Sequence, residues 1–308
     1  MTKQDSDKIK ITIGIPVYNG EKVIKKHIES ICSQTFQNFC IIISDNGSTD
    51  KTSEICEEIS KVDNRIIFLK QEKNKGVYWN MNFLIKQSKT EYFVIAAADD
   101  IWSKNFLESN IQILDKSKEL VGSIGECNLF NRIKNPITNK IEISILKNIK
   151  RFQYVHPVNG KLDEKIKFYL NFNMGSQYYS IFRTKEIQYA NFYKNNTNYG
   201  IWQADLATIL KILKKGKLNV DEKSYFQKEV RVTSGSVIQY MKNMNFTTNE
   251  ILFSKIIFSK WFLNEFGAKI FFQNIKTLIK FNASWIKTII GEILRMMKRI
   301  STRKKKYW

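Results

Sequence analysis

Two adjacent carboxylates, Asp99 and Asp100, follow an apolar run that extends from Tyr92 to Ala98. A short apolar run without helical period predicts a strand that is buried on both faces. Because a buried, unpaired carboxylate is costly, the acids are expected where water or a cation meets them. Ligands of open α/β sheets bind at the carboxyl ends of strands. The pair therefore predicts a site for a divalent ion and an anionic ligand, whereas the simpler interpretation is an acidic, solvated turn.

The elements that precede this pair alternate between strand and helix. Apolar runs predict strands at 10–17, 39–44 and 66–69, before the strand that leads to Asp99. Helices are predicted from Glu21 to Ile31, from 48 to 59 and from 79 to 87. His27 lies on or beside the apolar stripe of the first helix, where a packed structural histidine is expected. This order predicts a parallel, doubly wound sheet.

The region after the acid pair has a weaker pattern. Helices are predicted at 106–114, 165–170 and 201–213, and strands at 121–130 and 176–182, with two more inside 218–232. The polar segment 131–158 is interpreted as a loop or a weak hairpin. Asp205 lies near the start of the 201–213 helix, where a carboxylate is favoured by the helix dipole. On the sequence alone, a plain helix-start acid is the preferred interpretation of this residue.

The last part of the chain is strongly basic. Residues 250–308 contain 13 Lys and Arg against 3 Asp and Glu, a net charge of +10. Apolar residues recur there at helical spacing, which predicts three basic amphipathic helices suited to the surface of an anionic membrane. The alternative is that these helices pack on the preceding domain and that their lysines are only solvated.

Composition sets the broad class of protein. The chain has 308 residues and a formal charge of +21, so an anionic partner is expected among nucleic acids, anionic lipids and phosphorylated substrates. The four cysteines show no metal-type spacing and are interpreted as reduced thiols of a cytosolic protein. Neither a signal peptide nor a transmembrane run is recognised.

Several chemistries are disfavoured by missing motifs. The glycine-rich dinucleotide fingerprint and the P-loop are both missing from the sequence. The sequence contains only two histidines, His27 and His156, and therefore does not favour a zinc site built from histidines.

Four blocks of sequence, in order, resemble the family-2 inverting glycosyltransferases of the GT-A fold. They are ITIGIPVYNGEKVI, IIISDNGSTD, NKGVYWNMN and EYFVIAAADDIWSKNFLE. The segments WQADLATILKILKKG and RVTSGS extend the resemblance over residues 10–236. It implies a GT-A, Rossmann-like, mostly parallel sheet flanked by helices, with a catalytic domain over 1–240. The donor half would cover about 10–130 and the acceptor half about 131–240, followed by a basic amphipathic helical tail over 241–308.

The resemblance also implies a role for individual residues. Asp99 would be the metal-binding acid, for Mg²⁺ or Mn²⁺, and Asp205 the general base. Asp100 and Arg183 would contact the acceptor or a phosphate, since the guanidinium fork of arginine suits phosphate geometry; for Arg183 a surface role is the equal alternative. The residues implied in donor binding are Pro16, Tyr18, Asn19, Glu21, Asp45, Asn80, Ala98 and Asp99.

Two positions depart from the family pattern. Ala97 stands where the first acid of the DxD motif is usual, and Ala204 where a glutamate often precedes the base. Magnesium and manganese need only one or two protein carboxylates when phosphates supply further oxygens, so one aspartate suffices in principle. The chain also lacks the QxxRW motif, which argues against a processive polysaccharide synthase.

The function implied is the transfer of one sugar, with inversion, from a nucleotide-sugar donor to an acceptor glycan. The acceptor is expected to be lipid-linked, in the synthesis of a cell-surface polysaccharide or a glycoprotein glycan. The enzyme is expected in the cytoplasm, peripheral on the inner face of the membrane, without a nucleic acid partner. Two alternatives remain: a polyprenyl-phosphate sugar synthase, which needs no general base, and a non-enzymatic basic protein that binds membrane or nucleic acid.

Overall fold

The computed structural model describes residues 9–97, 100–134, 141–145, 160–172, 176–190, 204–229, 238, 241 and 247–304. Within these residues, nine strands form one mixed sheet. Eight strands follow the order β3-β2-β1-β4-β8-β6-β9-β5, and β7 pairs with β6. Helices cover both faces of this sheet, as a doubly wound arrangement requires.

The first half of the sheet is parallel, as predicted. Its elements are β1 (Ile11–Val17), α1 (Ile24–Cys32), β2 (Phe39–Asp45), α2 (Thr52–Val62), β3 (Ile66–Lys70), α3 (Val77–Gln87) and β4 (Tyr92–Ile95). The strands β1, β2 and β4 are almost wholly buried, which explains their continuous apolar runs. His27 is buried in α1 together with Ile24, Ile28 and Ile31, which agrees with a packed structural role.

The second half of the sheet is largely antiparallel. Its elements are β5 (Ile101–Trp102), α4 (Phe106–Lys116), β6 (Leu120–Lys134), β7 (Ile141–Ile145), α5 (Leu162–Phe172), a 3₁₀ turn (Ser176–Tyr179), β8 (Ile181–Arg183), α6 (Thr184–Ala190), α7 (Ala204–Ile212) and β9 (Lys217–Glu229). The long strands β6 and β9 run parallel to each other, and β5 is antiparallel to β9.

Two sequence-based assignments in this half need correction. The predicted strand at 176–182 is a 3₁₀ turn followed by the three-residue strand β8. Instead of the two strands predicted in 218–232, the described part of that segment is one long strand, because β9 pairs with β6 across two register shifts, at Leu120/Gly122 and Gly125/Glu126. Within 131–158, the described residues form the β6–β7 hairpin, which is one of the two structures predicted for that segment.

The C-terminal region forms two long helices, α8 (Thr248–Gln273) and α9 (Ile275–Lys304). Thr247 caps α8 with Glu250 in a reciprocal capping box. Gly267 breaks α8 with a φ of 78°, so the three predicted segments correspond to one broken helix and one continuous helix. Among the described helices, none is long and apolar enough to cross a membrane.

Two hydrophobic clusters lie on opposite faces of the sheet. Ile41 and Ile43 of β2 belong to the cluster under α1, α2 and α4, whereas Ile42 belongs to the other, because successive side chains of a strand alternate between faces. The second cluster also contains side chains from α3, α7, α8 and α9. The C-terminal helices therefore share a core with the sheet.

Candidate functional site

The loop after β1 is joined to the loop after β2 at the carboxyl ends of these strands. Asn19 has a φ of 51°, which turns its backbone toward the neighbouring loop. Its amide donates to Ser48 Oγ at 2.9 Å, and its side-chain oxygen accepts from the Thr49 amide at 2.9 Å. Glu21 similarly accepts from the Lys51 amide at 3.2 Å. These bonds fix the two loops side by side and use the side chains of two predicted donor-binding residues.

Pro16 and Tyr18 lie at the same edge. Pro16 is opposite Ser44 in the β1–β2 register and is partly exposed. The strand continues beyond this proline to Val17. Tyr18 follows directly and is 46% exposed. Its ring is therefore accessible to a ligand.

Asp45 ends β2 and is fully buried. Its carboxylate accepts from the Ser48 amide at 3.0 Å and from the Ser48 hydroxyl, and its other oxygen accepts from the Ser53 hydroxyl. These bonds hold the turn that leads into α2. A hydrogen bond from a base or ribose to Asp45 therefore requires one of these oxygens to become accessible.

Asn80 lies in the first half of α3 and packs over the end of β2. Its Nδ2 donates to the Ser44 carbonyl at 2.8 Å, and the side chain is 2% exposed. Its Oδ1 has no hydrogen-bond partner among the residues that the structure describes. An unpaired buried oxygen is costly, so this atom is suited to accept a bond from a donor group of a ligand.

Asp100 is described between β4 and β5, whereas Ala98 and Asp99 lie outside the described residues. The Asp100 side chain is 5% exposed. β5 pairs with β9 through Ile101–Gln227 and Trp102–Phe226. One residue beyond these pairs, Asp100 lies beside Lys228.

Lys228 connects the acid pair electrostatically to the predicted base. Its Nζ lies 4.2 Å from the centroid of the Tyr179 ring. Burial opposes its charged form, but Tyr179, Asp100 and Asp205 together outweigh that cost and raise the pKa of Lys228. The ammonium is therefore charged at neutral pH and interacts with carboxylates from two separate parts of the chain.

Asp205 lies in the first turn of α7, where the sequence places it. Its Oδ1 accepts from the Leu206 amide at 2.8 Å. Burial raises the pKa of this carboxyl, whereas the Leu206 amide and the Lys228 ammonium lower it. The net pKa is above its ordinary value, which brings a carboxylate closer to the proton affinity that a general base needs.

Arg183 lies at the opposite edge of the sheet. It pairs with Tyr92, the first residue of β4, whereas Pro16, Asp45 and Asp100 lie at or beyond the carboxyl ends of β1, β2 and β4. Its guanidinium donates to the carbonyls of Leu120 at 2.9 Å and Leu114 at 2.7 Å, and lies 3.7 Å from Glu91. This location does not support the predicted contact with a phosphate, because the fork of the side chain already stabilises the sheet edge.

Sequence reasoning did not find Tyr179 and Lys228. Neither residue stands in a recognisable motif, and Lys228 was placed in a region interpreted as two short strands. The available signal is the pairing of β5 with β9, which places Lys228 beside Asp100. That pairing joins distant parts of the chain and cannot be read from local pattern.

The fold and these residues define a class of protein. Solved structures with a similar fold include S. aureus TarS in complex with UDP-GlcNAc, with a TM-score of 0.64 and 17% identity over 92% of this chain and 73% of that one. A second is the mannosyltransferase PcManGT from Pyrobaculum calidifontis in complex with GDP-Man and Mn²⁺, with a TM-score of 0.58 and 12% identity over 96% and 76%. The chain therefore has the GT-A-like fold of these glycosyltransferases.

The sequence identifies the family. The profile described as "Glycosyl transferase family 2" matches residues 12–184, so the chain belongs to this family. Glycosyltransferase GlyG of Streptococcus pneumoniae is 38% identical over 36% of this chain and 37% of its own length. An uncharacterized glycosyltransferase of Methanocaldococcus jannaschii is 30% identical over 53% of this chain and 60% of its own length. Both matches thus cover less than two thirds of the relative's own length.

Proposed function

We propose that this protein is an inverting glycosyltransferase that moves one sugar from a nucleotide-sugar donor to an acceptor glycan. The observation that carries the proposal is the register of β5 and β9, which places Asp100 beside Lys228, together with the electrostatic interaction of Lys228 with Asp205. Family membership and the nucleotide sugars bound in similar structures support the donor class.

The residues of the chain have separate tasks in this proposal. The exposed ring of Tyr18 would stack on the base, and Oδ1 of Asn80 would accept a bond from the nucleotide. Asp205 would take the proton of the acceptor hydroxyl as it attacks the sugar from the face opposite the leaving diphosphate. A positioned base of this kind contributes ~10²–10⁴-fold in rate.

A divalent metal fits this edge by the chemistry of its oxygen donors. Among the described residues, no group of three or more His, Cys, Asp and Glu could hold a metal. Magnesium and manganese require only one or two carboxylates when substrate phosphates complete the shell. Asp99 would hold the ion together with the donor diphosphate, and a bound ion would stabilise the charge that develops on that diphosphate.

The donor is tested by measuring nucleotide release from UDP-, GDP- and dTDP-sugars. The matching sugar should also raise the melting temperature, and Mn²⁺ should increase that shift only when the nucleotide is present. Asp99→Ala should abolish the Mn²⁺-dependent part of the shift and leave the melting temperature of the free protein unchanged. A metal-dependent shift that survives Asp99→Ala would refute the metal assignment.

Dependence on Asp205 separates the proposal from a polyprenyl-phosphate sugar synthase. A lipid phosphate is already ionised and needs no base, so Asp205→Asn should leave such a synthase active. A non-enzymatic protein would instead release no nucleotide from any donor. Binding of RNA in a strongly salt-dependent manner would favour that second alternative.

We further propose that the acceptor is lipid-linked and that α9 rests on an anionic membrane surface. Leu278, Phe281, Trp285 and Ile289 of α9 are buried. A second apolar stripe of the same helix is exposed at helical spacing and consists of Ile279, Ile286, Ile290, Ile293 and Met297. The exposed lysines Lys276, Lys280 and Lys287 flank it. An apolar stripe bordered by lysines suits an interfacial helix, and each basic residue near an anionic surface contributes ~1 kcal/mol.

This surface is tested with vesicles of phosphatidylglycerol and of phosphatidylcholine. The full chain should co-sediment with the anionic vesicles at low salt, and the double variant Ile286→Glu/Ile290→Glu should remain in the supernatant. Val62→Glu is the matched control, because Val62 is 88% exposed on the distant helix α2. If the double variant co-sediments with the anionic vesicles like the wild type, the stripe does not bind lipid. The same conclusion holds if the only effect of the double variant is to separate two copies of the chain that associate through this stripe.

A further inference from the structure

Lys228 and Asp100 lie on one face of two paired strands. β5 and β9 are antiparallel, with Trp102 opposite Phe226, so Asp100 and Lys228 occupy the next position on the same face. Directly opposite side chains of an antiparallel pair have Cβ atoms about 4.5–5.5 Å apart. The two charges are thus placed together by strand register.

The aromatic residues around Lys228 hold its side chain in place. The Tyr179 ring stacks against Phe226 with centroids 5.7 Å apart, and Trp102 stacks on Phe106 at 4.6 Å. Phe226 is fully buried, so its ring is a fixed surface on which the Tyr179 ring stacks. The Lys228 ammonium lies over the Tyr179 ring at 4.2 Å, a distance typical of a cation–π contact.

Tyr179 and Asp205 belong to parts of the chain other than the strands β5 and β9. Tyr179 ends the 3₁₀ turn that precedes β8, and Asp205 begins α7. Both interact electrostatically with Lys228, as Asp100 does. Lys228 is therefore a cation that interacts with three separate parts of the chain: Asp100 before β5, the 3₁₀ turn that contains Tyr179, and the candidate base Asp205.

We propose that Lys228 is a positioning residue of the transfer site: its ammonium, held over Tyr179, fixes Asp100 and Asp205 in the arrangement that receives the acceptor hydroxyl. The assignment rests on the proposed glycosyl transfer. It predicts that the charge of Lys228 acts through Asp205 and that the ammonium does not contact the donor.

The physical reason is the attraction of one cation for two acids. Lys228 interacts electrostatically with both Asp100 and Asp205, and the attraction between opposite charges is stronger in a largely buried environment than in water. Without the ammonium, both carboxylates would lose this attraction and shift toward solvent. A misplacement of about 1 Å in a reacting group can cost ~10²-fold in rate.

The test compares Lys228→Met, which keeps the length of the side chain and removes its charge, with Lys228→Arg, which keeps the charge. Lys228→Met should lower kcat by about 10- to 100-fold with the KM for the donor changed less than about twofold. Lys228→Arg should recover most of that loss. Lys223→Met is the matched control, because Lys223 lies exposed on the same strand, and its kcat should equal that of the wild type.

A double-mutant cycle distinguishes positioning from a separate contribution. In an Asp205→Asn background, Lys228→Met should cause little further loss of kcat, since the group it positions can no longer accept a proton. Losses that multiply in the double variant would overturn the proposal, and so would a raised donor KM with unchanged kcat. Melting temperatures of all variants identify any loss that comes from unfolding, and Lys228→Arg then decides the outcome.

Failure of the proposed function gives a different result. A wild-type chain that releases no nucleotide from any donor would overturn the transfer activity itself, and with it the role of Lys228. A wild-type chain that is active, with a Lys228→Met variant of equal kcat, would overturn the positioning role alone.

Discussion

Asp205 is subject to two opposing influences at the scale of the single residue. Burial disfavours its charged form and raises its pKa, while the Leu206 amide and the Lys228 ammonium favour the carboxylate. Loss of these two partners would raise the pKa of a buried acid further. The Asp205 carboxyl thus has a raised affinity for a proton, which the two partners limit.

Replacement of Asp205 by asparagine keeps the shape of the side chain and removes its ability to take a proton. We expect kcat to fall by ~10²–10⁴-fold. The dissociation constant of the donor should be unchanged, because in the proposed function Asp205 acts on the acceptor hydroxyl and not on the donor. Steady-state kinetics and a binding titration measure the two quantities separately. Equal losses of turnover and donor affinity would make Asp205 a donor-binding or structural residue.

The raised pKa of Asp205 also predicts how activity depends on pH. Only the ionised carboxylate accepts a proton, so kcat/KM should decline as the pH falls through the raised pKa. The decline should therefore begin at a higher pH than for an aspartate at the ordinary value of 3.8. A profile of kcat/KM against pH for the wild type measures this decline on the acidic side. A profile that stays flat down to pH 4 in a protein shown to remain folded would contradict the role as base.

At the scale of secondary structure, the helices after residue 247 belong to the core of the protein. Phe258, Trp261 and Phe262 of α8 lie in the same hydrophobic cluster as Phe93 of β4 and Leu210 of α7. The sequence predicted helices in this region, and the structure describes two long ones. Only the structure separates the apolar residues that pack inward from those that remain exposed.

This packing predicts different costs for two neighbouring residues of α8. Phe262 is fully buried, so Phe262→Ala should lower the free energy of unfolding by about 3–5 kcal/mol. Leu263 is 37% exposed, and Leu263→Ala should cost less than about 1 kcal/mol. Denaturant titrations of both variants provide the measurement. Similar small costs at both positions would show that α8 is only loosely attached.

The strands and helices of the first half could be predicted because each signal there is local. Continuous apolar runs separated by amphipathic helices specify β1, β2 and β4 and their parallel order. β8 and β9 were assigned less well because their bounds depend on pairing with distant strands. The candidate site follows the same division: Asp100 and Asp205 stand in recognisable sequence, whereas Lys228 becomes visible only through the register of β5 and β9.

At the scale of the whole molecule, charge and apolar surface are distributed unevenly. The net charge of +10 over residues 250–308 accounts for about half of the total of +21. The inward face of α9 stabilises the domain, and its outward stripe is the surface we assign to lipid. One helix would therefore connect the stability of the enzyme to its location, and substitutions on its two faces should be separable in effect.

The position of β9 between β6 and β5 predicts at which stage of folding this protein becomes catalytically active. Its partners in β5 include Ile101 and Trp102, which are far from Phe226 and Gln227 along the chain. Bringing such distant segments together costs conformational entropy and slows folding. The helices and the β1–β2 region instead form mostly from contacts between residues that are closer along the chain. After dilution from denaturant, the far-ultraviolet circular dichroism signal should recover first and transferase activity later. During synthesis, the ribosome would have to release most of the chain before Lys228 could reach Asp100, so incomplete chains should be compact and inactive.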